Sequence, residues 1–145
     1  MRESIGSAQL YNIIIVFFFI VVAFLFATIS YARAFRVNTI IVNTIEKYEG
    51  YNQLAWNTIE KHLTTLAYNV PSNTMCPVRD GLQSLTTISN WKYCVYRESN
   101  TFAFDDITLT YDQYTIITYI SFDFPVVRDQ IQIPVIGKTT QIYRL

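Results

Sequence analysis

Hydrophobic residues near the amino terminus form a continuous run rather than a periodic pattern. Residues 13–29 are apolar apart from Thr28, and no charge occurs between Glu3 and Arg33. A bilayer core of ~30 Å requires about 20 helical residues at ~1.5 Å rise each, and residues 10–30 supply that length. Backbone amides in lipid must pair within the segment, so a membrane-spanning run is helical. The pattern predicts a transmembrane helix over 7–30.

The apolar run continues into a region with a helical period. Apolar and threonine side chains recur there at i, i+3, i+4, i+7, i+8 and i+11, which is one stripe of an α-helix. No proline or glycine occurs from 7 to 49, so one helix of about 43 residues, roughly 65 Å long, is predicted. Gly50 is expected to cap it, which makes 31–50 an amphipathic stalk. The stripe consists of Val37, Ile40, Ile41, Thr44, Ile45 and Tyr48.

A second amphipathic helix is predicted over 52–68, and Pro71 is expected to stop it. The pattern leaves open whether this helix folds back on the first or continues it with a kink. Its apolar set is Leu54, Ala55, Thr58, Ile59, Leu63, Leu66 and Ala67.

After Pro71 the period changes to two, which is typical of strands. Strands are predicted over 91–96, 107–111, 114–124, 130–135 and 139–144, with a tight turn at Asp112-Gln113 and with Gly137-Lys138 separating the last two strands. Pro125 and Pro134 remove ladder donors, so their segments belong at edges or bends. Two helices followed by antiparallel strands indicate an α+β fold. A small β-sheet head over 51–145 is expected to pack against the stalk helix.

Charge and motifs argue against several functions. The chain has no net charge, and the part from residue 37 onward contains 8 basic and 10 acidic residues with no basic cluster, so nucleic-acid binding is not expected. No glycine-rich phosphate loop, nucleophile elbow or HExxH motif occurs. His62 is the single histidine, and Asp105-Asp106 are expected in a turn. The sequence therefore predicts no enzyme, metal or cofactor.

Two cysteines, Cys76 and Cys94, lie 18 positions apart. In an oxidising compartment they can form a disulfide that contributes about 3 kcal/mol in the chain-entropy model. The alternative is two buried free thiols in a cytoplasmic domain. Two isolated cysteines and a distant histidine lack the paired spacing of a zinc site.

The amino terminus resembles a type IV prepilin leader. Arg2-Glu3-Ser4-Ile5-Gly6 followed by Ser7-Ala8-Gln9-Leu10 matches a short basic leader that ends in glycine before an apolar helix. The resemblance implies a leader over 1–6, cleaved between Gly6 and Ser7 by a membrane-embedded prepilin peptidase. It also implies a long helix half in the membrane, a β-sheet head with a disulfide, and assembly with other pilin-like subunits on a pilus platform. A cleaved secretory signal peptide is the alternative, but its apolar region would be shorter.

Within this group the chain is similar to small TadE-like pseudopilins of tight-adherence pilus systems. The similarity rests on the leader and on segments 30–36, 46–50, 124–126 and 133–139. Many pilins have a glutamate five residues after the cut, where this chain has Tyr11, which favours an accessory or priming subunit over a major pilin. Helix packing and membrane contact are assigned to Ile13, Val16, Phe17, Ile20, Phe24 and Ala27.

Orientation is contested by the flanking charges. Arg33 and Arg36 follow the apolar run and only Arg2 precedes it, so a positive-inside count would leave the head in the cytoplasm. The cysteines and the leader-like segment favour a cytoplasmic amino terminus and an extracytoplasmic head. The sequence thus predicts a membrane-anchored, pilin-like subunit of a pilus or secretion filament. The alternative is a single-pass membrane protein whose outer domain binds a partner or ligand without any filament.

Overall fold

The longest element of the fold is a single unbroken helix, α1, Arg2–Lys47, of 46 residues. A computed structural model describes residues 2–68, 76–86, 92–104, 107–121 and 132–144. At ~1.5 Å per residue α1 is about 69 Å long. The predicted single helix is confirmed.

α1 ends in a left-handed turn at Glu49 rather than at the expected Gly50. Glu49 has φ 54°, and the Gly50 N–H donates to the Ile45 carbonyl at 2.9 Å. This i to i−5 bond is the closing bond of a Schellman motif. Gly50 follows with φ 144° beside the Tyr114 hydroxyl, where a Cβ would come within 3.1 Å of that oxygen. Gly50 thus serves the chain reversal and the close approach to the sheet.

The second helix, α2, Gln53–Thr65, folds back on α1, which resolves the alternative that the sequence left open. The Asn52 side chain caps it by accepting from the Ala55 N–H at 2.9 Å. Ala55, Ile59 and Leu63 are buried at i, i+4 and i+8, whereas Leu54, assigned to the apolar set, is 64% exposed. The helix closes at Leu66, before Pro71, which lies outside the described residues.

The remaining elements form one antiparallel sheet in the order β1-β2-β3-β4, with β5 also paired to β3. Two helices and this sheet confirm the α+β fold. The strands are β1 Gln83–Ser84, β2 Tyr93–Phe104, β3 Ile107–Ser121, β4 Gln132–Lys138 and β5 Ile142–Arg144.

The predicted turn at Asp112-Gln113 and the predicted break between strands at Gly137-Lys138 are both wrong. Asp112 and Gln113 lie within β3, where Asp112 is buried and its Oδ2 is 2.7 Å from Arg144 Nη2 of β5. Gly137 and Lys138 lie within β4. Asp112 and Gly137 are residue types that are common in turns. Here Asp112 forms an ion pair, and Gly137 allows the helix to approach the strand closely. The proposed turn at 105–106, the strand start at 91 and the segment 122–131 lie outside the described residues.

β3 is the central strand, and both of its faces are buried. α1 covers the face that bears Ile116 and Thr118, since Thr118 Oγ1 donates to the Ala34 carbonyl at 3.3 Å. This contact confirms that the stalk helix packs on the sheet. The opposite face bears Ile117 and Tyr119 and neighbours Cys94 of β2. The edge strand β4 contains Pro134, as expected for a residue without a backbone donor.

Candidate functional site

The amino-terminal part of α1 exposes apolar side chains around its whole circumference. We call residues 9–33 the lower half of α1 and residues 34–47 its upper half. The segment Gln9–Lys47 is long and apolar enough to cross a membrane, with mean hydropathy 3.1 in a window of which none is buried. The lower half therefore fits a single-pass membrane anchor.

The residues assigned to helix packing follow one stripe of this surface. Their positions recur at i, i+3, i+4, i+7, i+11 and i+14, which keeps them on one helical face. Ala27 is half-buried and the others are exposed, Ile20 by 61% and Phe24 by 73%. The stripe consists of Ile13, Val16, Phe17, Ile20, Phe24 and Ala27, and it lies entirely on the amino-terminal side of the buried residue Ala34.

The expected processing site lies at the start of the same helix. Gly6 and Ser7 are both within α1, one turn after its beginning at Arg2. Helix ends fray most readily because their first four N–H groups lack helical partners. The position of Gly6–Ser7 near the end is therefore compatible with local unwinding.

The upper half of α1 is joined to the sheet by a polar junction that the sequence did not predict. We define this helix–sheet junction as Ala34, Asn38, Thr118, Val135 and Gly137. Asn38 is only 4% exposed, and its Nδ2 donates to the Val135 carbonyl at 3.0 Å and to Thr118 Oγ1 at 3.2 Å. The Thr118 hydroxyl in turn donates a hydrogen bond to the Ala34 carbonyl, so these buried polar side chains are paired.

Gly137 permits the close approach at this junction. A Cβ on Gly137 would overlap Oδ1 of Asn38 and come within 3.1 Å of Val42 Cγ2. The helix can therefore lie against β4 only because this strand position has no side chain. The sequence shows Asn38 directly beside the apolar stripe, but nothing in the pattern indicates its distant partners.

The disulfide Cys76–Cys94 holds the segment 76–86 against the sheet. The two Cα atoms are 5.8 Å apart, and Cys94 is fully buried in β2. Next to it the Tyr96 hydroxyl donates to the Pro77 carbonyl. The disulfide and this hydrogen bond hold the start of segment 76–86 on the sheet face opposite α1.

Buried tyrosine hydroxyls form hydrogen bonds within the head, and one of them bonds the backbone of β3. The Tyr68 hydroxyl donates to the Tyr119 carbonyl at 2.8 Å and accepts from the Tyr119 N–H at 2.9 Å. Burial raises the pKa of Tyr68 to about 12. Burial and the adjacent Tyr51 hydroxyl, 3.1 Å away, likewise raise the pKa of Tyr93. A side chain after α2 thus supplies the pairing that another strand would provide.

Chemistry-bearing side chains are dispersed. His62 is exposed on α2. Within the described residues no three His, Cys, Asp or Glu side chains converge to hold a metal. The buried carboxylate of Asp112 is engaged by Arg144, and Arg97 Nε lies 3.9 Å from its Oδ1.

Comparison of the chain with models of known protein families, with curated proteins and with solved structures finds no match.

Proposed function

We propose that the chain is a membrane-anchored, pilin-like structural subunit that serves as an accessory or priming component of a pilus or secretion filament. The observation that supports this most is the continuity of α1. One helix exposes the apolar side chains of its lower half and buries one stripe of its upper half under a sheet. A subunit built this way can move its head and its apolar helix as one body.

Three further features support the proposal. The leader-like Gly6–Ser7 pair lies in the first turns of the helix. The head contains a disulfide, which suits an oxidising compartment. Tyr11 is exposed where many pilins have a glutamate, so the charge that would offset a neighbouring terminal amine is missing, which favours an accessory role.

The proposed topology places the amino terminus in the cytoplasm and the head outside, although Arg33 and Arg36 oppose this by the positive-inside count. Lys61 is exposed on α2, so a Lys61→Cys variant tests the topology with a membrane-impermeant maleimide on intact cells. Labelling without lysis supports an outer head. Labelling only after lysis, together with free Cys76 and Cys94, contradicts it.

The processing step is tested by co-expression with a prepilin peptidase and mass spectrometry of the mature amino terminus. We expect a chain that begins at Ser7, and we expect Gly6→Leu to block the cut. Ser4→Ala, within the leader but away from the bond, is the matched control and should be cut normally. A chain that still begins at Met1, unaffected by Gly6→Leu, contradicts the pilin interpretation.

A second candidate is a single-pass protein whose head binds a partner. Leu54 and Trp56 on α2 are exposed by 64% and 44%, and Trp56 lines a shallow pocket with Tyr51 and Leu85. Exposed aromatic residues of this kind are typical of protein interfaces. This candidate is favoured if Trp56→Ala abolishes the recovery of a cross-linked partner while the leader remains uncut.

A further inference from the structure

The distance between the membrane span and the head is short. The exposed aliphatic residues of the apolar run extend along α1 to Ile29, and the next buried residue after them is Ala34. The step from Ser30 to Ala34 is four residues, about 6 Å of helix. The polar head-group layer on each side of a bilayer core is of similar thickness, roughly 5–8 Å. The sheet therefore begins where the head groups do.

The direction of the strands shows which part of the head faces the membrane. Thr118 contacts Ala34 and Asn38, whereas Tyr114 lies beside Gly50 at the far end of α1. β3 therefore runs toward the bilayer, and β4, antiparallel to it, runs away. The first described residues of β4 are the ones nearest the membrane, and the joining residues 122–131 lie outside the described part.

A height estimate places one exposed apolar side chain at the membrane surface. Val135 bonds Asn38, which is eight residues or about 12 Å above Ser30. Ile133 is two strand residues closer to the membrane, about 7 Å. It therefore lies about 5 Å above Ser30, within the head-group layer. The Ile133 side chain is 46% exposed at this level.

The same level of α1 has the side chains that membrane interfaces favour. Tyr31 and Phe35 are both exposed, with ring centroids 6.4 Å apart, and Arg33 and Arg36 are exposed beside them. Aromatic residues concentrate at the boundary between lipid and water, and arginine extends from it toward phosphate. Tyr31 and Phe35 thus extend the exposed apolar surface of the span, and the two arginines place positive charge at the same level.

We propose that the head lies directly on the bilayer, with Phe35 and Ile133 among the lipid head groups and Arg33 and Arg36 at the lipid phosphates. This inference rests on the membrane anchor in the proposed function and not on a filament role. The head is then held in one orientation by two elements, α1 and β4, instead of swinging on a stalk.

Fluorescence quenching in vesicles tests the contact. The full chain, with its native disulfide intact, is labelled with an environment-sensitive nitrobenzoxadiazole probe at Ile133→Cys or at Ile136→Cys. Ile136 is the matched control, since it is the same residue type on the same strand, 50% exposed and about 10 Å farther from the membrane. A nitroxide on lipid head groups should quench position 133 at least twice as strongly as 136. Equal quenching at the two positions overturns the inference.

A probe at Phe19→Cys separates this result from failure of the anchor. A nitroxide in the middle of the acyl chains should quench position 19 strongly, because Phe19 is exposed near the centre of the span. Quenching at 19 with equal values at 133 and 136 overturns only the head-group contact. No quenching at 19 overturns the anchor and this inference together.

The arginines are tested by lipid charge. Replacing one quarter of a phosphatidylcholine vesicle by phosphatidylglycerol should increase quenching at position 133. The double variant Arg33→Gln/Arg36→Gln should lose that increase, whereas Lys47→Gln, at the far end of α1, should keep it. An increase that survives in the double variant contradicts the phosphate contact.

Discussion

The two halves of α1 have the same backbone but opposite relations to their surroundings. The lower half presents apolar side chains on every side, whereas the upper half buries one largely apolar stripe under the sheet and exposes Arg36 and Lys47. Helix propensity does not distinguish the two halves, because neither contains proline or glycine. The comparison shows that a helix with apolar residues on every side presents a surface suited to lipid, whereas a helix with one apolar stripe packs that stripe on protein.

The largest expected loss of stability comes from a charged residue introduced into the buried stripe of the upper half. Ile41→Asp places a carboxylate in the fully buried stripe and should destabilise the head by about 4 kcal/mol or more. Circular dichroism during thermal unfolding in detergent micelles measures this. Ile20→Asp, in the lower half, should leave head unfolding unchanged and instead disfavour membrane insertion by about 3 kcal/mol. An equal loss of head stability in both variants contradicts the division.

The next largest loss of stability is expected at the helix–sheet junction, where the helix and β4 pack closely. Gly137→Ala introduces a Cβ that overlaps Asn38, and we expect a loss of about 2–3 kcal/mol in the free energy of unfolding. Lys138→Ala, exposed on the same strand, is the control and should change it little. Adding Asn38→Ala to Gly137→Ala should cost less than the sum of the single changes, because the overlap is removed. Strict additivity would contradict direct contact.

Removal of the Tyr68 hydroxyl should cause a smaller loss of stability, because it removes hydrogen bonds without changing the packing. Tyr68→Phe leaves the N–H and carbonyl of Tyr119 without the partner that bonds both, and should cost about 2 kcal/mol in urea unfolding. Tyr143→Phe removes an exposed hydroxyl bonded only to Gln141, so we expect less than about 0.5 kcal/mol. Equal midpoints for the two variants would show that Tyr68 does not close the sheet.

Alkaline pH should produce the smallest difference. The pKa of Tyr68 is raised to about 12 in the fold by burial, while an unfolded tyrosine titrates near 10. Folding therefore favours the protonated hydroxyl, and its stabilisation is complete below pH 10 and falls as the pH rises through 12. The stability advantage of wild type over Tyr68→Phe should shrink by about 1.4 kcal/mol between pH 8 and 11. A constant advantage would contradict the buried environment of this hydroxyl.

Elements with a strong period were predictable from sequence. The absence of proline and glycine from 7 to 49 indicated one helix, and the stripe containing Val37, Ile41 and Ile45 correctly gave its buried face. The antiparallel strands followed from alternation. These features depend on local rules that each residue obeys independently of the rest of the chain.

Features that depend on distant partners were not predictable. Asp112 looked like a turn residue because nothing in the local sequence indicates its ion pair. Its partner, Arg144 of β5, lies 32 positions later in the chain. Gly137 looked like a loop residue because its close neighbour, Asn38, is about 100 positions earlier in the chain. Glu49 took the left-handed position before Gly50. In each case tertiary packing overrode the local preference.

The central claim is that one straight helix passes from the membrane span into the head, and a distance between spin labels tests it most directly. Asn12 and Asn43 are exposed in the lower and upper halves, and 31 residues of helix separate their Cα atoms by about 46 Å. Double electron–electron resonance on Asn12→Cys/Asn43→Cys in lipid nanodiscs should give one narrow distribution near this distance. A broad distribution, or a main distance below about 40 Å, would show a break between span and head and contradict the account.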